Sequence, residues 1–354
     1  MAKKKDGVSL TPCEPIEPWV TALSPRVQRF LGWFLVTAFC ASFVVVPFLA
    51  VVVVPYLACT GRHYAAGAIA AVLVAASLWP TREWPAARRI WQLLYKPFRV
   101  RHNVGDNDPR VRKFVAAHYD PPEGKPSQQY ILGMHPHGIV PIQALIWCAY
   151  CDQYLRTREH GTVYGFGGMA SVITRFPFVR SVLGWFNAQN ASYSNLKRGL
   201  LTTGKNLYML PGGLAEIFTA RPGRNAAVFK RRRGLVRLAL ETGAALTPLY
   251  VFGGNDFFHQ SATNGSWLAR TSRRMGASLT FFWGWCGLPV PLVPPHGVTI
   301  CLGEPVFCER WRGPGKPPPE QVEALHARYL AALQKVFDDH KAAAGEPDAV
   351  LEIL

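Results

Sequence analysis

A chain of 354 residues, 49% hydrophobic and only 17% charged, has room for one large domain or two plus a membrane element. Its formal net charge of +17 suits nucleic acid, an anionic membrane face or an anionic cosubstrate such as a coenzyme A thioester. A nucleic-acid binder accounts for the charge but not for a charge-free apolar run at 30–59, and eight scattered cysteines with no disulfide framework mark a reduced, cytosol-facing protein.

Residues 1–29 are polar, carry Lys3, Lys4 and Lys5 and contain four prolines, a composition expected to be disordered. Phe30–Cys59 is long enough to cross a bilayer, whereas Tyr64–Trp79 is marginal against the roughly 20 residues a span needs. The first run is too long and begins too late for a signal peptide. Lys3, Lys4, Lys5, Arg26 and Arg29 precede the pair, six cations between Arg82 and Arg101 follow it, and only Arg62 lies between. The positive-inside rule then favours a hairpin with both ends cytosolic, whether it spans or only dips in. The rival is a buried helical pair in a soluble protein. Under the hairpin topology the sequons at Asn190 and Asn264 stay unglycosylated. Residues 84–101, rich in Trp, Tyr and Arg, have a composition suited to a membrane interface.

Beyond a polar connection at 102–127, strands alternate with helices, which argues an α/β fold. Strands are expected at 130–134, 162–166, 206–210, 246–252 and 298–302, and helices at 139–150, 169–176, 194–203, 233–242 and 319–341. The stretch YILGMHPHG (130–138) reads as a short buried strand stopped by Pro136 and Gly138, with Pro141 opening the next helix. It delivers His135 and His137 to a strand end, where either imidazole could take a proton from an alcohol near neutral pH. A hydrogen-bonded core histidine is the alternative for either one.

A second strand ends at Pro211-Gly212-Gly213, followed by the carboxylate Glu216. Two glycines let backbone come close to a ligand, and N–H groups there could hold an oxyanion or phosphate. Glu216 could orient a histidine, or it could be a solvated residue after a tight turn. In FKRRRGLVRLAL (229–240), Lys230, Arg231, Arg232 and Arg233 sit where a helix dipole disfavours cations, which points to an anionic partner or to a basic face against the membrane. Val322, Leu325, Tyr329, Leu333 and Val336 form the core face of the last helix.

Other motifs fail. Gly199-LLTT-Gly204-Lys205 precedes its strand and has Asn206 in place of Ser/Thr, and Gly165-Phe-Gly167-Gly168-Met-Ala170 lacks an acidic partner. Cys148 and Cys151 stand alone inside a predicted helix, and no cluster completes a metal site around the histidines.

Taken together, YILGMHPHG, PGGLAE, RRGLVRLALETGAALTPLYVFG, GLPVPLVPPHGVTICLGEPV and VEALHARYLAALQKVFDDHK, in this order behind a hydrophobic hairpin, resemble the type-2 diacylglycerol acyltransferase family. That family includes monoacylglycerol and wax-alcohol acyltransferases, and the resemblance runs over about residues 30–345. It implies a glycerolipid-acyltransferase-like mixed sheet flanked by helices, with the hairpin in the membrane. It also implies acyl transfer from acyl-CoA, as cosubstrate and without a cofactor, to a lipid hydroxyl at the endoplasmic reticulum and lipid droplet. Diacylglycerol is the acceptor expected first; a monoacylglycerol or long-chain alcohol, or an inactive lipid-binding scaffold, are the alternatives. Oligomerisation is compatible with the family.

Carried onto this chain, the HPHG motif falls on His135, Pro136, His137 and Gly138, with His137 favoured as base because some plant members keep only the second histidine. The glycine-glycine-carboxylate motif falls on Gly212, Gly213 and Glu216. Arg231, Arg232, Arg233, Gly234, Arg237 and Asn255 complete the expected substrate-binding set. The departures are Gly254 between Phe252-Gly253 and Asn255-Asp256, Leu235 where the family has an aromatic, and Ile142 where related glycerolipid acyltransferases place an Asp. Glu216 is therefore the expected orienting acid. The implied division is a basic disordered segment (1–29), a membrane hairpin (30–79), an interfacial connector (80–127), a catalytic domain (128–345) and a tail (346–354).

Overall fold

A computed structural model describes residues 10–104, 109–121, 123, 127–157 and 161–354. The main sheet is built from β1 (Thr11–Pro12), β2 (Arg101–His102), β3 (Tyr130–His135), β4 (Phe166–Met169), β5 (Ala188–Asn190), β6 (Leu207–Met209), β7 (Ala245–Phe252) and β8 (Thr299–Leu302), in the spatial order β1-β2-β8-β7-β3-β6-β4-β5. The run β7, β3, β6, β4, β5 is parallel throughout, while β8 runs antiparallel to β7. All eight residues of β7 and all six of β3 are buried, as parallel strands covered on both faces require.

The pleat of β3 decides what its side chains meet. Tyr130, Leu132 and Met134 enter the larger core with helix α3 (Ile142–Tyr154), whereas Ile131 enters the opposite core with α6 (Gly234–Thr242) and α7 (Pro319–Ala344). By the two-residue period, Gly133 and His135 therefore face α7. A Cβ on Gly133 would stand 2.3 Å from the Tyr329 hydroxyl, so only glycine admits that ring.

The mixed α/β architecture expected from the alternating pattern is present, with differences at several elements. The strand expected at 162–166 begins at Phe166, because Gly165 must lie against the Asn206 backbone, where a Cβ would be 1.8 Å from Asn206 O. Gly161–Thr162 pairs instead with Arg156–Thr157. The helix expected at 169–176 is one 3-10 turn, Ile173–Arg175, ended before Pro177. Pro141 caps α3 from outside rather than opening it.

Residues 10–29 are structured, not disordered. Thr11–Pro12 pairs with Arg101–His102, Val20 and Gln28 are buried, and the Ile16 and Glu17 N–H groups both donate to Gln92 Oε1. The connector likewise is not simply interfacial. Trp91, Leu93, Leu94, Tyr95 and Phe98 are core residues, and Arg88 fastens this segment to α3 through Asp152 Oδ2 at 3.0 Å. The 346–354 tail is also ordered, since Glu352–Ile353 adds a parallel strand to Ala226–Ala227 and Leu351 is buried.

Helix α1 (Pro25–Phe48) starts on Ser24, whose hydroxyl accepts from Val27 N–H, with Pro25 at the first helical position. A π-helical turn at Leu49–Val53 continues it to Cys59, and α2 (His63–Leu78) folds back. Pro25–Cys59, 35 residues, is long and apolar enough to cross a membrane, and only 22% of its most apolar window is buried. That exposure fits membrane association, not the buried pair of a soluble protein.

Candidate active site

Because β3, β4, β6 and β7 are parallel, their carboxyl ends share one edge of the sheet, where open α/β sheets place ligands. His135, the loop after β4, the turn Pro211-Gly212-Gly213 and the loop Gly253-Gly254-Asn255 all emerge there. The structure thus joins the histidine motif to the glycine-glycine-carboxylate motif, 81 residues apart.

Glu216 is the hub. It lies in α5 (Gly213–Thr219), only 2% exposed, and its carboxylate accepts three N–H groups. Oε1 takes His135 Nδ1–H at 3.0 Å and Val228 N–H at 2.8 Å, and Oε2 takes the backbone N–H of His137 at 2.7 Å. Burial raises the carboxyl pKa, but the His135 interaction and the backbone donors outweigh it and hold the group below its ordinary value. Gly212 makes room for this hub, since a Cβ there would stand 1.9 Å from the Glu216 carboxyl carbon. The Gly213 N–H is bonded to Leu210 O.

The two histidines are held differently. His135 is fully buried and satisfied at both nitrogens, with Nε2 3.3 Å from the Tyr329 hydroxyl. His137 is half-buried, and its Nδ1 lies 2.9 Å from the Gly138 carbonyl. A carbonyl only accepts, so Nδ1 carries the proton and Nε2 keeps its lone pair in the neutral ring. Burial holds the imidazole below the ordinary histidine pKa; the Gly138 carbonyl and Glu216 counter this only in part. In that form Nε2 has the capacity to accept a proton.

Glu216 thus orients a histidine ring, as expected from sequence, and that ring is His135; of His137, the residue favoured as base, it fixes the peptide. Gln143, wholly buried at the start of α3, closes the loop by donating to Pro136 O at 2.8 Å and His137 O at 2.7 Å. Gly138 has a positive φ of 66°, and a Cβ there would be 2.6 Å from Gly254 O, so this loop is tightly seated against the loop after β7.

The expected basic set divides. Arg231 and Arg232 are exposed, and Arg232 is near enough to lower the His137 pKa further. Arg233 precedes α6 and is engaged in a two-pronged pair with Glu323, at 2.6 and 2.7 Å, with Nη1 also 2.9 Å from His326 Nε2. Gly234 opens α6, and Arg237 is half-buried along it. Asn255 Nδ2 donates to Arg224 O, making it a loop-positioning residue. The described residues hold no cluster of three or more metal-ligating side chains.

Val228, Tyr329 and Gln143 escaped the sequence reading. A backbone N–H has no sequence signature, and Tyr329 sits on an apolar face at core spacing. Gln143, a polar residue in the apolar run IQALIW, was the one available signal.

The carboxyl edge of this α/β sheet thus brings His135, His137 and the buried Glu216 together. A family model described as diacylglycerol acyltransferase matches residues 116–354. The chain belongs to the diacylglycerol acyltransferase family and is an acyltransferase. It is 28% identical over 345 residues to diacylglycerol O-acyltransferase 2-like protein 6 of Homo sapiens, covering 91% of this chain and 96% of that one. It is 32% identical over 234 residues to diacylglycerol O-acyltransferase 2 of Danio rerio, covering 61% of this chain and 62% of that one. Among solved structures, the 1-acyl-sn-glycerophosphate acyltransferase PlsC from Thermotoga maritima is similar at 13% identity and a TM-score of 0.39, over 87% of this chain and 98% of that one.

Proposed function

We propose that this chain esterifies the free hydroxyl of diacylglycerol with an acyl group from acyl-CoA, working from the cytosolic side of the endoplasmic reticulum membrane and the lipid droplet surface. The observation that carries the reading is the fixed tautomer of His137, with Nδ1–H on Gly138 O and Nε2 left as acceptor. In the reaction, Nε2 takes the proton of the acceptor hydroxyl as its oxygen attacks the thioester carbonyl. The new C–O bond forms, the tetrahedral oxyanion collapses, the C–S bond breaks, and the thiolate of coenzyme A leaves with the proton returned by His137. Transfer is direct, with no acyl-enzyme. His135 is a positioning residue, since both its ring nitrogens are already engaged. Arg231 and Arg232, exposed ahead of α6, supply cations for the coenzyme A phosphates.

The test is acyl transfer in isolated membranes, with labelled oleoyl-CoA offered alongside diacylglycerol, monoacylglycerol or hexadecanol. Label is expected in triacylglycerol, falling by about 10²–10⁴-fold in His137→Ala. Label confined to diacylglycerol or wax ester would change the acceptor and keep the chemistry. Full activity in His137→Ala with loss in His135→Ala would exchange the two histidine roles.

A further inference from the structure

Helix α1 does not close against the rest of the molecule along its whole length. Between it, the 84–91 segment and α4 (Val179–Trp185) lies a cleft of about 740 Å³, within the roughly 300–1,000 Å³ of small-molecule sites. Leu35 and Val45 of α1, Ile90 and Trp91 of the middle segment, and Val182 of α4 face it. Among the described residues no charged side chain lines it, and the one hydroxyl, Ser42, donates to Phe39 O at 2.6 Å. Such a surface has nothing to offer a phosphate or a nucleotide, but a full wall of dispersion contacts to offer a hydrocarbon.

Two further features narrow the occupant. The cleft runs beside the helix that is apolar enough to cross a membrane, and its mouth continues into exposed apolar residues, Val45 at 47% and Phe178 at 48%. With α1 in a bilayer, that mouth meets acyl chains. The far wall, α4, follows the loop from the carboxyl end of β4, the edge of the sheet that bears His137.

We infer that the cleft seats one hydrocarbon chain of the acceptor lipid, drawn laterally from the bilayer. Occupation by a lipid chain stands on the cleft alone; its assignment to the acceptor rests on the acyl-transfer reading above. The chain of acyl-CoA is the lesser fit, because the described lining offers its polyanionic head no cation, whereas the exposed Arg231 and Arg232 lie on a different segment.

The experiment uses the full chain in phosphatidylcholine vesicles containing a diacylglycerol with a mid-chain diazirine. After irradiation, labelled peptides are mapped by mass spectrometry. Label is expected at once in the peptides bearing Val45, Ile90 and Val182. Ala38→Trp and Ala86→Trp, at exposed positions of the cleft wall, should each cut that labelling by about tenfold, the effect of displacing two methylenes. Label spread over bilayer-facing Tyr64 and Leu78 and indifferent to both substitutions would overturn the inference. So would cross-links from these three segments to a second copy of the chain. Labelling there by a diazirine acyl-CoA but not by the diacylglycerol would refute the acceptor assignment. Cleft labelling in a chain that transfers acyl groups to no acceptor would keep the lipid seat and remove the acyl-transfer reading.

Discussion

Replacing Glu216 by Gln removes one acceptor oxygen and the charge while keeping the shape. Oε1 serves two donors and Oε2 one, so the amide is best placed with its oxygen toward His135 and Val228. Its NH₂ then confronts the His137 N–H, donor against donor, in a site that is 2% exposed. One buried donor without a partner costs about 1–3 kcal/mol, and the two surviving bonds fall from charge-assisted to neutral strength, so roughly 2–4 kcal/mol in all is expected. Activity should fall further than stability. The lost bond is the one that places the His137 peptide, and a misplacement of about 1 Å costs on the order of 100-fold in rate. Acyl transfer and a thermal unfolding curve on the same preparation read both quantities. Their pH dependence supplies a signature. Because the Glu216 pKa is depressed from 4.5, its stabilisation is complete above that pH and is lost as pH falls through the lower folded value. The gap between wild type and Glu216→Gln should therefore close in acid. A variant with wild-type rate and wild-type midpoint at neutral pH would refute the hub described here.

Other expectations follow from the same geometry. The acid limb of the kcat/KM profile should lie below the ordinary histidine value of 6.5, because His137 must be neutral to act and burial lowers its pKa; a limb above 6.5 would rule out His137 as the titrating base. Gly212→Ala should abolish transfer by driving a methyl into the Glu216 carboxyl group, whereas Gly234→Ala, with nothing within 4 Å, should be tolerated in stability and rate. Equal behaviour of the two variants would contradict the steric account. Arg231→Ala combined with Arg232→Ala should raise KM for acyl-CoA more than it lowers kcat, with the difference fading at high salt; an unchanged KM at low salt would place the coenzyme A phosphates elsewhere.

How much of this was legible in the sequence depended on range. The histidine loop and the Pro-Gly-Gly turn are local features written in proline and glycine, and both lie where strand-end reasoning puts them. The partnership was less so. Which histidine meets Glu216 is decided by the pleat of β3, which turns His135 toward α7 and leaves His137 in the loop beyond. A carboxylate that fixes one ring and the next residue but one's peptide cannot be read from spacing. The disorder expected for residues 1–29 failed for residues 10–29 for a similar reason. Pro18 and Pro25 open helices and Pro12 occupies an edge strand rather than breaking structure, and the contacts that order the segment, such as Gln92 with Ile16 and Glu17, lie some 75 residues away. Aromatic residues at 84–101 are equally suited to a membrane surface and to a core, and tertiary packing chose the core for Trp91, Tyr95 and Phe98.

The short parallel pairing of Glu352–Ile353 with Ala226–Ala227 reaches further than its size suggests. The same backbone run, one residue on, delivers Val228 N–H to Glu216, and two residues later Lys230 N–H donates to Leu354 O. Arg224 and Glu352 clasp the outer side at 2.7 and 3.0 Å. Residues 351–354 thus act as a latch on the strand that steadies the hub and presents the basic run. A protease that trims the segment would tug on the Glu216 hub without altering any side chain in it.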